Sequence, residues 1–138
     1  MGRILGLDPG SKRCGVAISD SARTMAFPRP AFSVDDSLVV LVTQIVEDES
    51  VDLVVVGRPI ALSGRETAST LMADGLFHEL RAALLRATVI QWDERLTTHE
   101  ATRGLHAAGH RSADHRDRID SAAAVVLLQH YLDGLRGS

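Results

Sequence analysis

Apolar residues recur along this chain with two periods, and the switches between them divide it into elements. Arg3–Leu7 is a short apolar strand that ends on Asp8, and Gly10-Ser11 is a turn signal. Cys14–Ser19 is a second apolar strand, close enough to pair with the first as a hairpin. Thr24–Ser33 reads as a third strand, which Pro28 and Pro30 confine to an edge or make irregular. Asp35 or Asp36 then caps a helix, along which Leu38, Leu41, Val42, Ile45 and Val46 recur at helical spacing. Val51–Val56 is a near-continuous β-branched run, the pattern of a central strand covered on both faces.

The second half alternates in the same way. Ser63-Gly64-Arg65-Glu66 reads as a capping box for a helix carrying Ala68, Leu71, Met72, Leu76, Leu80, Ala83 and Leu84. Thr88–Trp92 is expected to be another buried strand, with Trp92 packed in the core. Thr97-Thr98-His99-Glu100 is a second capping box, starting a helix that stops near Gly109. Residues 110–117 form a polar loop, and Asp120–Leu132 a final helix ending before Gly134. The order β-β-β-α-β-α-β-α-α predicts an α/β fold: a mixed five-stranded sheet with helices packed on it and right-handed crossovers.

Composition narrows this picture. The 138 residues fit one compact domain, 1–138. Aromatics are only 4%, so the core must be built from Val, Leu, Ile and Ala. No apolar run approaches the ~18 residues of a membrane span, and the acid-bearing start of the chain does not resemble a signal peptide. The single cysteine, Cys14, sits among Gly15, Val16, Ala17 and Ile18 and reads as a small buried hydrophobe. A cytoplasmic protein is expected. The net charge of −3 argues against coating nucleic acid through bulk charge, but it allows a basic rim around an acidic site. Lys12 is the only lysine beside 14 arginines. Arginine suits bidentate phosphate contacts, although genome composition is the better account of such a bias.

The candidate chemistry lies in acids at element ends. Asp8 closes the first strand, Asp93 and Glu94 close the last, and Asp120 opens the final helix. Converging carboxylates repel one another unless protons or cations neutralise them. Hard divalent ions, Mg²⁺ or Mn²⁺, take carboxylate oxygens and keep positions open for water and phosphate. Two such ions about 3.5–4 Å apart would clamp the two oxygens of a phosphodiester cleavage. The small residues Ser121–Ala124 would let the last helix approach the sheet closely. An acid at a strand end or helix start also serves turns and caps, so each acid taken singly is weak evidence. Asp8 is the strongest, because Pro9-Gly10 places it on a tight turn.

Four segments, in order and spanning nearly the whole chain, resemble the motifs of the YqgF family, also called RuvX. They are Gly6–Ala17, Val54–Pro59, Asp93–Thr98 and Ile119–Gln129. The resemblance implies a ribonuclease-H-like fold with helices on both faces of the sheet. It also implies a nuclease related to Holliday junction resolvases or acting in 5′-end maturation of pre-16S rRNA. By the same resemblance Asp8, Glu94 and Asp120 fall on the catalytic, metal-binding acids, with Asp93 a weaker fourth. The expected partner is pre-16S rRNA or branched DNA, and the expected state a monomer or homodimer. One departure concerns the loop before the last helix, which is lysine- and arginine-rich in the family. Here Asp114 and Asp117 interrupt His110–Arg118, which predicts weaker phosphate binding with a flatter salt dependence.

Lys12 and Arg13 follow the Asp8 turn, where a phosphate contact and a solvated turn are equally good readings. Arg95 is expected either to pair with an acid of the cluster or to grip a phosphate oxygen. Arg58 and Arg65 flank the start of the second helix, where backbone N–H groups favour an anion. His99, His106 and His110 match no zinc pattern. Two other functions compete. The Asp-x-Gly opening also resembles the phosphate loop of sugar kinases, actin and heat-shock ATPases, but those need two lobes and a second such loop. A non-catalytic RNA- or ribosome-associated module would fit the acidic balance but not the intact acids.

Overall fold

The structure is a computed structural model that describes residues 2–96 and 121–136. Its strands are β1 (Arg3–Pro9), β2 (Arg13–Ser19), β3 (Ala26–Ser33), β4 (Val51–Arg58) and β5 (Thr88–Asp93). The described helices are α1 (Leu38–Asp48), α2 (Ala68–Ala83) and α3 (Ala122–Arg136), and Glu94–Leu96 form one 3₁₀ turn. The expected helix from Thr97, the loop 110–117, Asp120 and the three histidines His99, His106 and His110 lie outside the described residues.

The strands form one sheet in the order β3-β2-β1-β4-β5. The β1–β2 and β2–β3 pairs are antiparallel, whereas β1–β4 and β4–β5 are parallel. Side chains alternate between faces. Leu5, Leu7, Val16, Ile18, Val54 and Val56 join α1 and α2 in one core cluster. Ile4, Ala17 and Val55 join Ala124, Leu127, Leu128 and Leu132 of α3 in the other. Helices therefore cover both faces, as expected, and β4 is buried on both sides at Val54, Val55 and Val56.

The β3 edge follows from its prolines, which lack the N–H that a second neighbour would need. Four local expectations are corrected. Among the described residues Thr88–Asp93 is the opposite sheet edge rather than a buried strand: it pairs there with β4 alone, and within it only Val89 is buried. The N-cap position of α1 is Ser37, not an aspartate. The Asp35 carboxylate instead accepts the Ser37 N–H at 2.8 Å and the Ser37 hydroxyl, closing a turn before the helix. The capping box of α2 is Thr67 with Thr70, not Ser63 with Glu66. Residues 61–65 are already committed to a turn, closed by Gly64 N–H to Ala61 C=O at 2.7 Å with Gly64 at φ +89°. Finally, α3 runs through Gly134 to Arg136. A helical glycine costs only about 1 kcal/mol and need not end a helix.

Along α2 the buried face is Thr70, Ala73, Leu76 and Leu80; Leu71 lies one residue off it and is 64% exposed. The closest approach of α3 to the sheet is at Gly6, where a Cβ would stand 2.9 Å from the Leu128 Cβ and 3.5 Å from the Ala124 carbonyl oxygen. Both partners belong to the packed helix, so Gly6→Ala is expected to cost about 1–3 kcal/mol of stability, the usual range for overpacking. Urea unfolding measures it, and an unchanged midpoint would show that α3 is not held tightly against β1.

Candidate active site

Asp8, next to last in β1, lies on the face that carries Ile4 and Gly6, the α3 side of the sheet. Gly57, two residues beyond Val55, lies on the same side of β4. Glu94 follows β5 directly, and the 3₁₀ turn brings its side chain back over β4. A Cβ on Gly57 would stand 2.5 Å from Glu94 Oε1 and 3.2 Å from its Cγ and Cδ. Gly57 is thus the floor on which the carboxyl group rests. In the sequence Gly57 stands out only as part of the strand-and-turn segment Val54–Pro59. Its signal was a glycine closing a run of valines.

The Glu94 carboxyl group is hydrogen-bonded to that of Asp8. Burial pushes Glu94 up to about 9, and the hydrogen bond, the Asp8 charge and the Asp93 charge push in the same direction. At neutral pH Glu94 therefore keeps its proton. The Cys14 thiol, in the residue pair beside Asp8 and Gly15, is fully buried. Its pKa is pushed up to about 12, by burial first and the Asp8 charge second. This is the inert, buried cysteine expected.

The raised Glu94 group has a consequence for stability. An exposed glutamate titrates near ~4.3, so between about pH 5 and pH 9 the folded chain binds a proton that the unfolded chain releases. Stability from this group is complete below the unfolded value and is lost as pH rises through the folded one. In EDTA the melting temperature is expected to fall between pH 6 and pH 9, and Glu94→Gln to flatten that fall. An equal slope in the variant would locate the titration elsewhere.

The remaining expected site residues sit apart from this pair. Asp93 faces the α2 side, where Arg95 grips it through Nη2 at 2.7 Å and Nε at 3.0 Å. That pairing, the Arg95 hydrogen bond above all, holds Asp93 below the ordinary carboxylate range. Arg58 is held by Asp74 at 2.9 and 3.1 Å and by Glu66 at 3.0 Å. Gln91 donates to the same Asp74 at 2.6 Å. Asp74 was missed from sequence, since nothing near it in the chain marks an acid on a mostly apolar helix as a partner for Arg58. Lys12, Arg13 and Arg65 are exposed at the same end of the sheet. Among the described residues no three His, Cys, Asp or Glu side chains form a metal-holding group. Asp8 and Glu94 are two members of the expected trio, and Asp120 lies outside the described residues.

The Asp8–Glu94 pair fits a hard divalent cation. Its donors are all oxygen, and two carboxyl groups so close favour either a proton or a cation between them. The absent side chain at Gly57 leaves room for the carboxyl group to lie flat against the strand.

Comparisons with known proteins show the family and the fold. The model of the RuvX family, whose description is Holliday junction resolvase, matches residues 2–134. A protein of Corynebacterium jeikeium named "Putative pre-16S rRNA nuclease" is 43% identical over 137 residues, covering 98% of this chain and 88% of its own. One of the same name from Chlorobaculum tepidum is 37% identical over 133 residues, covering 95% and 93%. Among solved structures, T. thermophilus RuvC in complex with a Holliday junction substrate matches with a TM-score of 0.59 at 14% identity, over 99% of this chain and 97% of that one. Fowlpox virus resolvase with Holliday junction DNA matches with a TM-score of 0.59 at 13% identity, over 96% and 98%. At such identity the likeness carries the fold alone, which is ribonuclease-H-like.

Proposed function

The chain belongs to the RuvX family, and from that premise we propose that it is a divalent-metal-dependent nuclease whose substrate is the 5′ end of pre-16S rRNA. It is a hydrolase of phosphodiester bonds. The observation that carries the mechanism is the Asp8–Glu94 carboxyl pair resting on Gly57. Asp8, Glu94 and Asp120 are the catalytic acids of this reading and would hold Mg²⁺ or Mn²⁺. Such a cation supplies Lewis-acid stabilisation of the phosphate charge and lowers the pKa of water beside it. The acids bind and orient. Glu94 would hold the cation in its deprotonated form, so its raised pKa would favour occupancy at higher pH. The exposed Lys12, Arg13 and Arg65 meet substrate phosphates at the rim. Arg58 and Arg95 meet them while also held by Asp74, Glu66 and Asp93, which fixes the direction of their guanidinium groups.

Relatives at 37–43% identity carry the pre-16S rRNA name, which supports rRNA as substrate. A second reading, cleavage of branched DNA, is favoured by the junction-bound resolvases of the same fold. Incubation of the purified protein with pre-16S rRNA ends and with a four-way junction, in Mn²⁺ and in EDTA, separates them. Cleavage of the rRNA end alone supports the first reading; cleavage of the junction alone replaces it with the second. Activity unchanged by EDTA would overturn both.

A further inference from the structure

The turn that carries Glu94 is closed by the residues on either side of it. The Arg95 N–H donates to Asp93 Oδ1 at 2.9 Å, Arg95 Nε to Oδ1 and Oδ2 at 3.2 and 3.0 Å, and Nη2 to Oδ2 at 2.7 Å. The bond from the backbone N–H makes this an Asx turn, with Glu94 as the residue it bends. Both ends of this clamp meet features that are themselves fixed. Asp93 is the register partner of Arg58 on β4, and Arg58 is held by Asp74 and Glu66. Arg95 Nη1 lies 3.7 Å from the Cβ position of Gly64. It therefore rests against the loop 61–65, which the Ala61 N–H closes on the Arg65 carbonyl at 3.0 Å.

Strand alternation puts Asp93 on the α2 side with Val89 and Gln91, whereas Ile90 and Trp92 face α3. Glu94, one residue on, returns to the α3 side over Gly57. Asp93 thus points away from the Asp8–Glu94 pair, placed to orient its neighbour from behind. The bond to Asp8 holds only the tip of the flexible Glu94 side chain. Where that chain starts, and which way it leaves the backbone, is set by the turn. Folding gives little reason for the clamp, because the Asp93–Arg95 pair is partly exposed at both ends, and such pairs add little to stability. We propose that Asp93 is a positioning residue: its carboxylate, closed on Arg95, holds the turn that lays the Glu94 carboxyl group on Gly57 beside Asp8. The consequence for catalysis rests on the reading of Asp8 and Glu94 as metal ligands; the placement of Glu94 does not.

The test reads the metal-free protein first, by NMR. A Cβ on Gly57 would stand 3.2 Å from Glu94 Cγ, so the Gly57 α-hydrogen in that direction should give a nuclear Overhauser contact to the Glu94 γ-hydrogens. Asp93→Ala is expected to abolish this contact while melting within a few degrees of wild type. The same variant is expected to weaken Mn²⁺ binding, measured by calorimetry, and to lower kcat by about 10–100-fold, the range for losing a group that orients a ligand, with KM unchanged. Asp93→Asn keeps an oxygen for the Arg95 N–H and is expected to keep the contact and most of the affinity. Asp52→Ala removes a carboxylate that likewise takes a backbone N–H, from Gly2, and an arginine, Arg23, at the opposite end of β4. It should leave the Glu94 contact and Mn²⁺ affinity in place. The proposal is overturned if Asp93→Ala keeps the contact, or if it fails to fold, which would make the clamp part of the fold. It is overturned equally if Asp93→Asn loses as much as alanine, which would mean that the charge acts directly, or if Asp52→Ala loses as much. Asp8→Asn, run alongside, separates the two claims: intact Mn²⁺ binding there removes the ligand reading, while the metal-free contact still decides the clamp.

Discussion

Asp8→Asn is expected to lower cleavage at least about a hundredfold while the protein melts within a few degrees of wild type. Losing a group that merely orients a ligand costs about 10–100-fold, and losing a ligand must cost more. The fold should tolerate the change. Asparagine matches aspartate in shape, and its amide oxygen can still accept the proton held by Glu94. Asp8 also contributes two of the influences that raise Glu94, the hydrogen bond and the charge, whereas burial is the largest and stays. The variant should therefore lose only part of the pH-dependence of its stability. Steady-state cleavage assays in Mn²⁺, with melting curves at pH 6 and pH 9, measure both effects. Wild-type cleavage by the variant would remove Asp8 from the mechanism, and failure to fold would show that the carboxylate has a structural task instead.

Asp8 was legible because its signal is local: an apolar strand, an acid, then Pro9-Gly10. Glu94 was legible in the same way, at the end of an apolar run. The two-sided burial of β4 could be read from Val51–Val56, and the edge position of β3 from Pro28 and Pro30. What failed was choice among redundant signals. Asp35, Asp36 and Ser37 can all begin a helix, as can Ser63 and Thr67, and tertiary placement decides between them. The edge position of β5 among the described strands was illegible, because Val89, Ile90 and Trp92 have the same pattern whether or not another strand lies beyond them. Most hidden were the contacts across the fold. The Arg58–Asp74 pair spans a crossover, and the Ser121 hydroxyl, just before α3, joins the Val16 N–H of β2 to the Arg29 carbonyl of β3. Gly57 belongs with these, since its role is defined by a side chain from another strand end.

Gly57→Ala isolates that role. The Gly57 backbone does not occupy the left-handed region, where Gly64 alone of the described glycines lies. An alanine is therefore compatible with the strand, and the conflict is confined to the Glu94 side chain, 2.5 Å from the new methyl at Oε1. That atom is the far end of a flexible chain, so it can swing aside at little cost in stability. It cannot stay beside Asp8 while doing so. A displacement of about 1 Å from productive geometry can cost roughly a hundredfold in rate, and Gly57→Ala is expected to lose about that much in kcat, with little change in melting temperature at pH 6. Because the displaced carboxyl group moves toward water, the fall of stability between pH 6 and pH 9 should shrink as well. Gly75→Ala provides the contrast: nothing lies within 4 Å of its Cβ position on α2, so alanine there should stabilise by up to about 1 kcal/mol and leave kcat unchanged. If Gly57→Ala keeps wild-type kcat, Glu94 has another position from which it acts, and the pair resting on the glycine is not the working arrangement. If both kcat and the pH slope change together, one carboxyl group accounts for the chemistry and for the stability of the metal-free protein.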